Sequence, residues 1–334
     1  MTYAGAAGET RKQMARTLHY GDDAVASFAA LSQELNASRN KKMTLNIANR
    51  LFAQKGYDFL PDYLAVVKRD FGAPVEQMDF SKPSAAAERI NKWVAKQTRD
   101  RIRDLISSDA IDASTRLVLA NAVYFHAPWE KAFDEKETRP APFTMLDGKT
   151  RDVPMMHLTK EMDFYEAPNF IAVGLPYAGG DFRFVAILPK GDFKKFALTT
   201  DTFKSLEQMK WIKVVLSMPK FRLEPPTLAL SKFLKTAGMP SAFDVPPGSA
   251  DFSGIAPRKS GDYLAISDVF HKAFLDVSEE GTEAAAATVA IMMTRASILP
   301  PAPPPVVNLD RPFYFAIQHR PSGACLFLGR LVEP

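Results

Sequence analysis

The chain has 334 residues, of which 46 % are hydrophobic and 24 % are charged, and its formal net charge is +4. These values are typical of a globular protein with a sizeable core. No apolar run reaches the ~18 residues of a transmembrane helix, and the basic residues are dispersed, which disfavours membrane and nucleic-acid binding. The single cysteine, Cys325, excludes internal disulfides and cysteine-based metal sites, and its apolar neighbours predict a buried thiol.

Apolar periodicity predicts both helices and strands up to about residue 125, and mostly strands from residue 138 to residue 219. The predicted helices span residues 22–37, 61–71, 84–105, 192–208 and 228–236. The predicted strands span residues 43–53, 115–125, 164–176, 182–188, 213–218, 266–277, 313–319 and 325–331. The last two strands flank Pro321, Ser322 and Gly323, so they are predicted to form a hairpin.

Residues 279–295 combine the pattern of a strand with the position of a loop. With a period of two, one face carries no charge and consists of Thr282, Ala284, Ala286, Thr288, Ala290, Met292 and Thr294. That face could be buried in a sheet without desolvating a charge, and its small side chains would enter between two strands without overpacking. The prolines that follow, at residues 300–305, predict an exposed loop.

This segment resembles the hinge of the reactive loop of the serpins, which are suicide-type inhibitors of serine proteases. The matching hinge residues are Glu279, Gly281, Thr282, Glu283, Ala284, Ala285, Ala286, Ala287 and Thr288. Five more segments resemble serpin segments in the family's order, namely residues 119–129, 251–255, 271–277, 311–315 and 327–331. The resemblance covers nearly the whole chain.

The resemblance implies an α+β serpin fold in a single domain over residues 1–334. Such a fold has a large mixed central β-sheet, two smaller sheets, surrounding helices and an exposed reactive-centre loop, here at about residues 279–305. Residues 1–10 resemble the C-terminal half of the family's second helix, so the usual N-terminal segment is expected to be lacking. No signal peptide is recognisable, and the resemblance favours an extracellular or periplasmic location.

The resemblance also implies the site of attack. The family's spacing from Gly281 places the scissile bond between Arg295 and Ala296, with Thr294 and Ala296 as neighbouring alternatives for the residue before it. An exposed arginine suits a trypsin-like protease, whose specificity pocket has an aspartate at its base. The expected partner is such a protease in a covalent acyl complex with a monomeric inhibitor, and no cofactor is needed.

Two groups of residues match the family's control points for sheet opening. From its apolar context, His271 is expected to be buried with a hydrogen-bond partner, and the resemblance implies that this partner is Asn121. Trp129, Lys220 and Glu279 match the second control point, at the top of the main sheet. From the residues alone, these three would be a core tryptophan and a surface ion pair.

The sequence does not favour an enzyme. The five histidines lie far apart, and the chain contains no Gly-x-Ser-x-Gly elbow, His-Glu-x-x-His motif, Walker loop or Gly-x-Gly-x-x-Gly. Two alternatives to an inhibitor stay open. A non-inhibitory serpin, acting as a carrier, store or chaperone, would have a disrupted hinge, whereas this hinge is intact. A truncated, inactive serpin remnant is the second alternative.

Overall fold

The computed structural model of the protein describes residues 1–38, 43–73, 75–282 and 303–334. The chain divides into two compact units. Unit 1 comprises Met1–Arg39, Leu45–Tyr124 and Leu223–Phe274, and unit 2 comprises Asn40–Thr44, Phe125–Arg222 and Leu275–Pro334. The prediction of a single domain stays a prediction, because compactness alone does not measure independent folding.

Most α-helices described belong to unit 1. They are α1 (Gly8–Leu18), α2 (Ala24–Ala37), α3 (Pro61–Phe71), α4 (Pro83–Gln97) and α6 (Ser231–Ala237), with α5 (Thr200–Ser205) in unit 2. Within the described parts of the chain, none of the helices is both long and apolar enough to cross a bilayer.

Proline and glycine fix the two ends of α3 at the predicted boundaries. Pro61 is its first residue, where the missing N–H has no helical partner to lose. At the other end Gly72 adopts the left-handed conformation, with φ of 57°, and its N–H donates to the Val67 carbonyl. The helix buries Tyr63 and Val67 in the core of unit 1. The prediction of a helix over residues 61–71 is confirmed.

Helix α4 ends at Gln97, eight residues before the predicted end at residue 105. The buried side chain of Thr98 accepts the Ile102 N–H at 3.1 Å and so competes with the helical pattern of backbone bonds. Arg99 and Asp100 then have φ values of 49° and 62°. A right-handed helix cannot continue through that conformation, and no glycine in the sequence marks the stop.

Strands occur in both units. They are β1 (Thr44–Gln54), β2 (Val75–Met78), β3 (Leu117–Pro128), β4 (Arg139–Thr144), β5 (Thr150–Glu166), β6 (Phe170–Pro176), β7 (Phe182–Pro189), β8 (Lys210–Pro219), β9 (Phe221–Leu223), β10 (Leu228–Ala229), β11 (Phe270–His271), β12 (Leu275–Val277), β13 (Gly281–Thr282), β14 (Val306–Asn308), β15 (Phe313–His319) and β16 (Cys325–Leu331). The predicted closing hairpin over residues 313–319 and 325–331 is confirmed.

In unit 1 the strands follow the order β2–β1–β3, with β1 and β2 parallel, and β10 pairs with β11 in a separate antiparallel ribbon. In unit 2 the end of β3 is followed by β13, β12 and β9. Unit 2 also holds an eight-stranded sheet in the order β14–β8–β5–β6–β7–β15–β16, with β4 on β5. Strands β14 and β8 are parallel and the other pairs of that sheet are antiparallel, so the sheet is mixed.

The core of unit 2 contains one buried ion pair beside its apolar strands. Every residue of β7 is buried, and within that strand Arg183 donates to Asp163 at 2.9 Å and to Gln318 at 2.7 Å. An unpaired charge at this depth would cost several kcal/mol, so the pairing explains why a charged residue fits in this strand.

The expectation of a buried Cys325 is wrong, because its side chain is exposed. Cys325 begins β16, which is the last strand in the order of the eight-stranded sheet. Among the described strands, none follows β16 in that order, and most residues of β16 are partly or fully exposed. An apolar neighbourhood in sequence therefore did not imply burial at this sheet edge.

Three other predicted elements are interrupted in the structure, and a fourth begins later than predicted. The strand predicted over residues 164–176 is the end of β5 followed by β6, with the turn Ala167 N–H to Phe170 carbonyl between them. The strand predicted over 266–277 forms only as β11 and β12. The helix predicted over 192–208 is divided into short turns around α5, and the helix predicted over 228–236 begins only at Ser231.

Candidate functional site

Directly after β12 the chain makes a tight turn and re-enters the sheet. The Ser278 N–H donates to the Gly281 carbonyl at 2.9 Å, which closes the turn. Strand β13 then pairs antiparallel with β12, through Val277 and Thr282, and with β3, through Ala127 opposite Thr282. Gly281 and Thr282, two residues of the predicted hinge, thus form a short strand between two neighbouring strands. We call this position, bounded by Ala127, Val277 and Tyr177, the hinge seat.

Gly281 occupies a place that no side chain could share. A Cβ atom on this residue would lie 2.5 Å from the Cα of Pro128 and 2.9 Å from the backbone nitrogen of Trp129, and it would also collide with the Ala127 carbonyl. All three obstacles are backbone atoms, so none can swing away as a side chain could. With φ of 152°, Gly281 also has a conformation that other residues rarely adopt.

Thr282 fills the hinge seat. Its side chain is 1 % exposed, and its hydroxyl is 2.7 Å from the hydroxyl of Tyr177. Tyr177 is fully buried and follows β6, where its ring stacks on Trp129 with centroids 4.6 Å apart and planes 11° from parallel. A small side chain with one hydroxyl therefore matches both the volume and the single polar group of this site.

Trp129 fastens the root of the hinge to the end of β3. Its indole N–H donates to the Ser278 carbonyl at 2.9 Å, and its backbone N–H donates to the Glu280 carbonyl at 2.9 Å. The ring is 4 % exposed. One residue thus holds the chain on both sides of Glu279. The role of Trp129 in a control point for sheet opening stays a prediction.

Glu279 is a buried carboxylate, not one half of a surface ion pair. Its side chain accepts hydrogen bonds from Lys220 at 2.9 Å and from Thr138 at 2.9 Å, while Lys220 is itself 46 % exposed. Its backbone carbonyl accepts the Phe133 N–H at 2.8 Å. Burial alone would raise the pKa of the Glu279 carboxyl, but the hydrogen bonds from Lys220, from its own backbone N–H and from Thr138 outweigh burial and hold that pKa below its usual value.

The other predicted control pair does not form. Asn121 is exposed and donates to the side-chain oxygen of Asn49 at 2.8 Å. The prediction of a buried His271 is wrong, because His271 is exposed in β11, where it pairs with Leu228. Among the described residues, no hydrogen bond joins Asn121 to His271. The interruption of the strand predicted over 266–277 explains the difference, since His271 pairs with the short β10.

Sequence reasoning missed Tyr177, Thr138 and Phe133, each of which contacts the hinge root or the hinge seat. Tyr177 and Thr138 lie beside strand ends and Phe133 lies in a connection between elements, where neither a two-residue nor a 3.6-residue period selects them. The hinge residues Glu283, Ala284, Ala285, Ala286, Ala287 and Thr288, and the predicted scissile pair Arg295 and Ala296, lie outside the described residues. Their assignments stay predictions.

The lowered pKa of Glu279 predicts a pH dependence of stability. A carboxyl whose pKa is depressed on folding stabilises the protein above its unfolded pKa, and this stabilisation is lost as pH falls through the folded value. The melting temperature of the intact protein should therefore fall more steeply below pH 4.5 in wild type than in Glu279→Gln. Glu34→Gln, at an exposed carboxylate, should follow the wild-type curve. Parallel curves for wild type and Glu279→Gln would contradict the prediction.

Taken together, the described residues place Gly281 and Thr282 as a short strand between β12 and β3. Three comparisons agree on the family of the protein. The model described as "Serpin (serine protease inhibitor)" matches residues 1–334. The chain therefore belongs to the serpin family, and the predicted family and fold class are confirmed.

The relatives found by sequence match this chain over its whole length. An uncharacterized serpin-like protein of Thermococcus kodakarensis is 39 % identical over 342 residues, covering 100 % of this chain and 78 % of its own. The leukocyte elastase inhibitor of Xenopus laevis is 36 % identical over 354 residues, covering 100 % of this chain and 89 % of its own. These relationships support protease inhibition at the level of the family.

A solved structure agrees with the fold. The crystal structure of Serpin48 from the insect Tenebrio molitor superposes with a TM-score of 0.84 at 30 % identity, covering 100 % of this chain and 88 % of that one. This protein therefore belongs to the family both by its sequence and by its fold.

Proposed function

We propose that this protein inhibits a trypsin-like serine protease by suicide trapping, with Arg295–Ala296 as the scissile bond. The observation that carries the proposal is the hinge seat, in which Gly281 and Thr282 are already paired with strands on both sides. A sheet that accepts the first residues of the loop has the local geometry needed to accept the rest. The uncharged face that begins at Thr282 supplies side chains suited to burial.

The chemical step belongs to the protease. Its serine hydroxyl attacks the carbonyl carbon of Arg295, and the proton passes through the protease histidine to the leaving amine. The peptide bond to Ala296 breaks, which leaves an ester between the serine and Arg295 and a new amino terminus on Ala296. Water would normally hydrolyse this ester and release an active protease.

The inhibitor contributes a conformational change that follows cleavage. Once the bond is broken, residues 283–294 are free to follow Thr282 into the sheet as a new strand between β3 and β12. The esterified protease would move with the loop and be distorted before water completes deacylation. The intact protein is then a metastable state held by a kinetic barrier.

Relatives leave a second target class to be tested. The Xenopus laevis protein is named for leukocyte elastase, and elastase-like enzymes prefer a small residue before the scissile bond. In this chain Thr294 and Ala296 would serve such an enzyme. Arginine at 295 is the feature that favours a trypsin-like enzyme, because only a basic side chain pairs with the aspartate of its pocket.

Incubation with trypsin tests the proposal. Wild type should form a covalent complex that survives a denaturing gel, together with a C-terminal fragment that begins at Ala296. Arg295→Ala should lose trapping of trypsin by at least about tenfold, because the charge-assisted pair in the pocket is worth more than 1.4 kcal/mol. Arg139→Ala, at an exposed arginine outside the loop, is the control and should trap normally.

Two results would contradict this function. Complete cleavage of wild type with full trypsin activity retained would make the chain a substrate instead of an inhibitor. Trapping of trypsin by Arg295→Ala at the wild-type rate would show that the scissile bond lies elsewhere. Wild type would belong to the second target class if it trapped elastase and the C-terminal fragment began at Arg295 or at Ser297, the residues after Thr294 and Ala296.

A further inference from the structure

The hydroxyl groups of Tyr177 and Thr282 form a buried pair that the trapping scheme does not require. They are 2.7 Å apart, and the residues that carry them are separated by 105 positions in the chain. Tyr177 is 0 % exposed and Thr282 is 1 % exposed. No other hydrogen bond to the Tyr177 hydroxyl occurs among the described residues. Both groups are buried, and among the described residues each hydroxyl has only the other as its partner.

The surroundings of Tyr177 fix where its hydroxyl points. Its ring stacks on Trp129 at 4.6 Å and meets Phe125 edge-on at 4.9 Å. Its backbone N–H donates to the Phe182 carbonyl at 2.9 Å, and it forms an isolated bridge with Trp129. A ring held on two sides cannot follow Thr282 if the hinge moves. The hydroxyl therefore marks a fixed point in the hinge seat.

Each backbone pairing in the hinge seat is short, so the hydrogen bond between the two hydroxyls contributes substantially to holding Thr282 in place. Strand β13 has two residues, and it meets β12 in a single registered pair. If Thr282 leaves the seat, Tyr177 retains a buried hydroxyl without a partner. This penalty favours the seated position over the withdrawn one.

We propose that Tyr177 is a positioning residue for trapping, whose hydroxyl holds Thr282 in the hinge seat so that strand insertion begins from a residue already in register. The inference rests on the proposed function, because it assigns the step that competes with deacylation. It makes a specific claim about one oxygen atom, and removing that atom leaves the ring, its stacking and the volume of the site unchanged.

The test compares Tyr177→Phe, Thr282→Val and the double variant with wild type. Each single variant leaves one buried hydroxyl without a partner, whereas the double variant leaves none. The partition ratio, meaning cleaved free inhibitor divided by covalent trypsin complex, should rise about fivefold in each single variant, as for the loss of a typical hydrogen bond. In the double variant it should return toward the wild-type value. The rate of loop cleavage should be the same in all four proteins.

Tyr63→Phe is the matched control. The Tyr63 hydroxyl is also buried, but among the described residues it has no hydrogen-bond partner. Its removal should leave the partition ratio unchanged. Hydrogen–deuterium exchange of the peptide covering residues 278–282 supplies a second readout that needs no protease. Exchange should be faster in Tyr177→Phe and Thr282→Val than in wild type, in Tyr63→Phe and in the double variant.

The outcomes separate this inference from the proposed function. If wild type traps trypsin but the single variants show unchanged partition and exchange, the role of Tyr177 is overturned while the function stands. Additive effects in the double variant would also overturn it, because the two hydroxyls would then act independently. If wild type does not trap trypsin at all, the function fails, and the exchange data alone decide whether Tyr177 seats Thr282.

Discussion

Under the proposed function, Thr282→Arg should make the protein a substrate of trypsin instead of an inhibitor. Thr282 is 1 % exposed and contacts the Tyr177 hydroxyl. The described residues that bound the hinge seat include no carboxylate to pair with a guanidinium. Burying an unpaired charge costs several kcal/mol, so the hinge should leave the seat and insertion should become slower than deacylation. The covalent complex should fall by more than about tenfold, since 1.4 kcal/mol corresponds to a factor of ten.

Two measurements check this prediction. The cleaved fragment should still begin at Ala296, which shows that Arg295 is attacked as in wild type and that the new arginine is not the site of cutting. Cleaved wild type should also melt at a much higher temperature than intact wild type, because an added strand completes the sheet, and cleaved Thr282→Arg should gain less. Thr150→Arg, at an exposed position of β5, controls for the added charge. Equal gains in the two cleaved proteins would contradict the insertion scheme.

Gly281→Ala should disrupt the hinge seat from the backbone side. The added methyl group would lie 2.5 Å from the Cα of Pro128, so either β3 must shift or the hinge must withdraw. Overpacking of this kind typically costs about 1–3 kcal/mol, and the intact protein should melt several degrees lower. The partition ratio with trypsin should rise as well, because Thr282 would no longer start from its seated position.

Gly180→Ala separates crowding from backbone strain. Gly180 also has a positive φ, of 80°, but a Cβ atom there would meet nothing within 4 Å. This variant carries the conformational cost of replacing a left-handed glycine and no collision. If Gly281→Ala and Gly180→Ala change the melting temperature and the partition ratio by the same amounts, the close approach of Gly281 to β3 has no functional consequence.

The sequence predicted those parts of the fold that local chemistry determines. Helix α3 begins at a proline and ends before a glycine, and the closing hairpin consists of two strands around a turn, so their boundaries could be read from the residues. The end of α4 could not be read from the residues, because Arg99 and Asp100 adopt a positive φ, a conformation that usually belongs to glycine. His271 and Cys325 were misjudged for a related reason, since their exposure depends on which strands lie beside them.

The candidate site was predictable in outline and not in its contacts. A recognisable hinge sequence located Gly281 and Thr282, and the resemblance to the family's second control point located Trp129 and Lys220. The partner that buries Thr282 is Tyr177, which is distant in sequence and carries no local signal, so only the folded chain brings the two together. Likewise, the ion pair expected on the surface proved to have a buried carboxylate, because Thr138 and the backbone of Phe133 enclose Glu279.

The early pairing of Gly281 and Thr282 has a consequence for the order of events in strand addition. In any new strand the first residues are the least favourable, because they lose conformational freedom before many hydrogen bonds are gained. Here that nucleation has taken place in the intact chain, so cleavage would have to be followed only by elongation. The barrier that keeps the uncleaved protein intact would then reside in the covalent continuity of the loop. The height of this barrier would depend on the length and tension of the loop, and only weakly on how favourably Gly281 and Thr282 pair with the sheet.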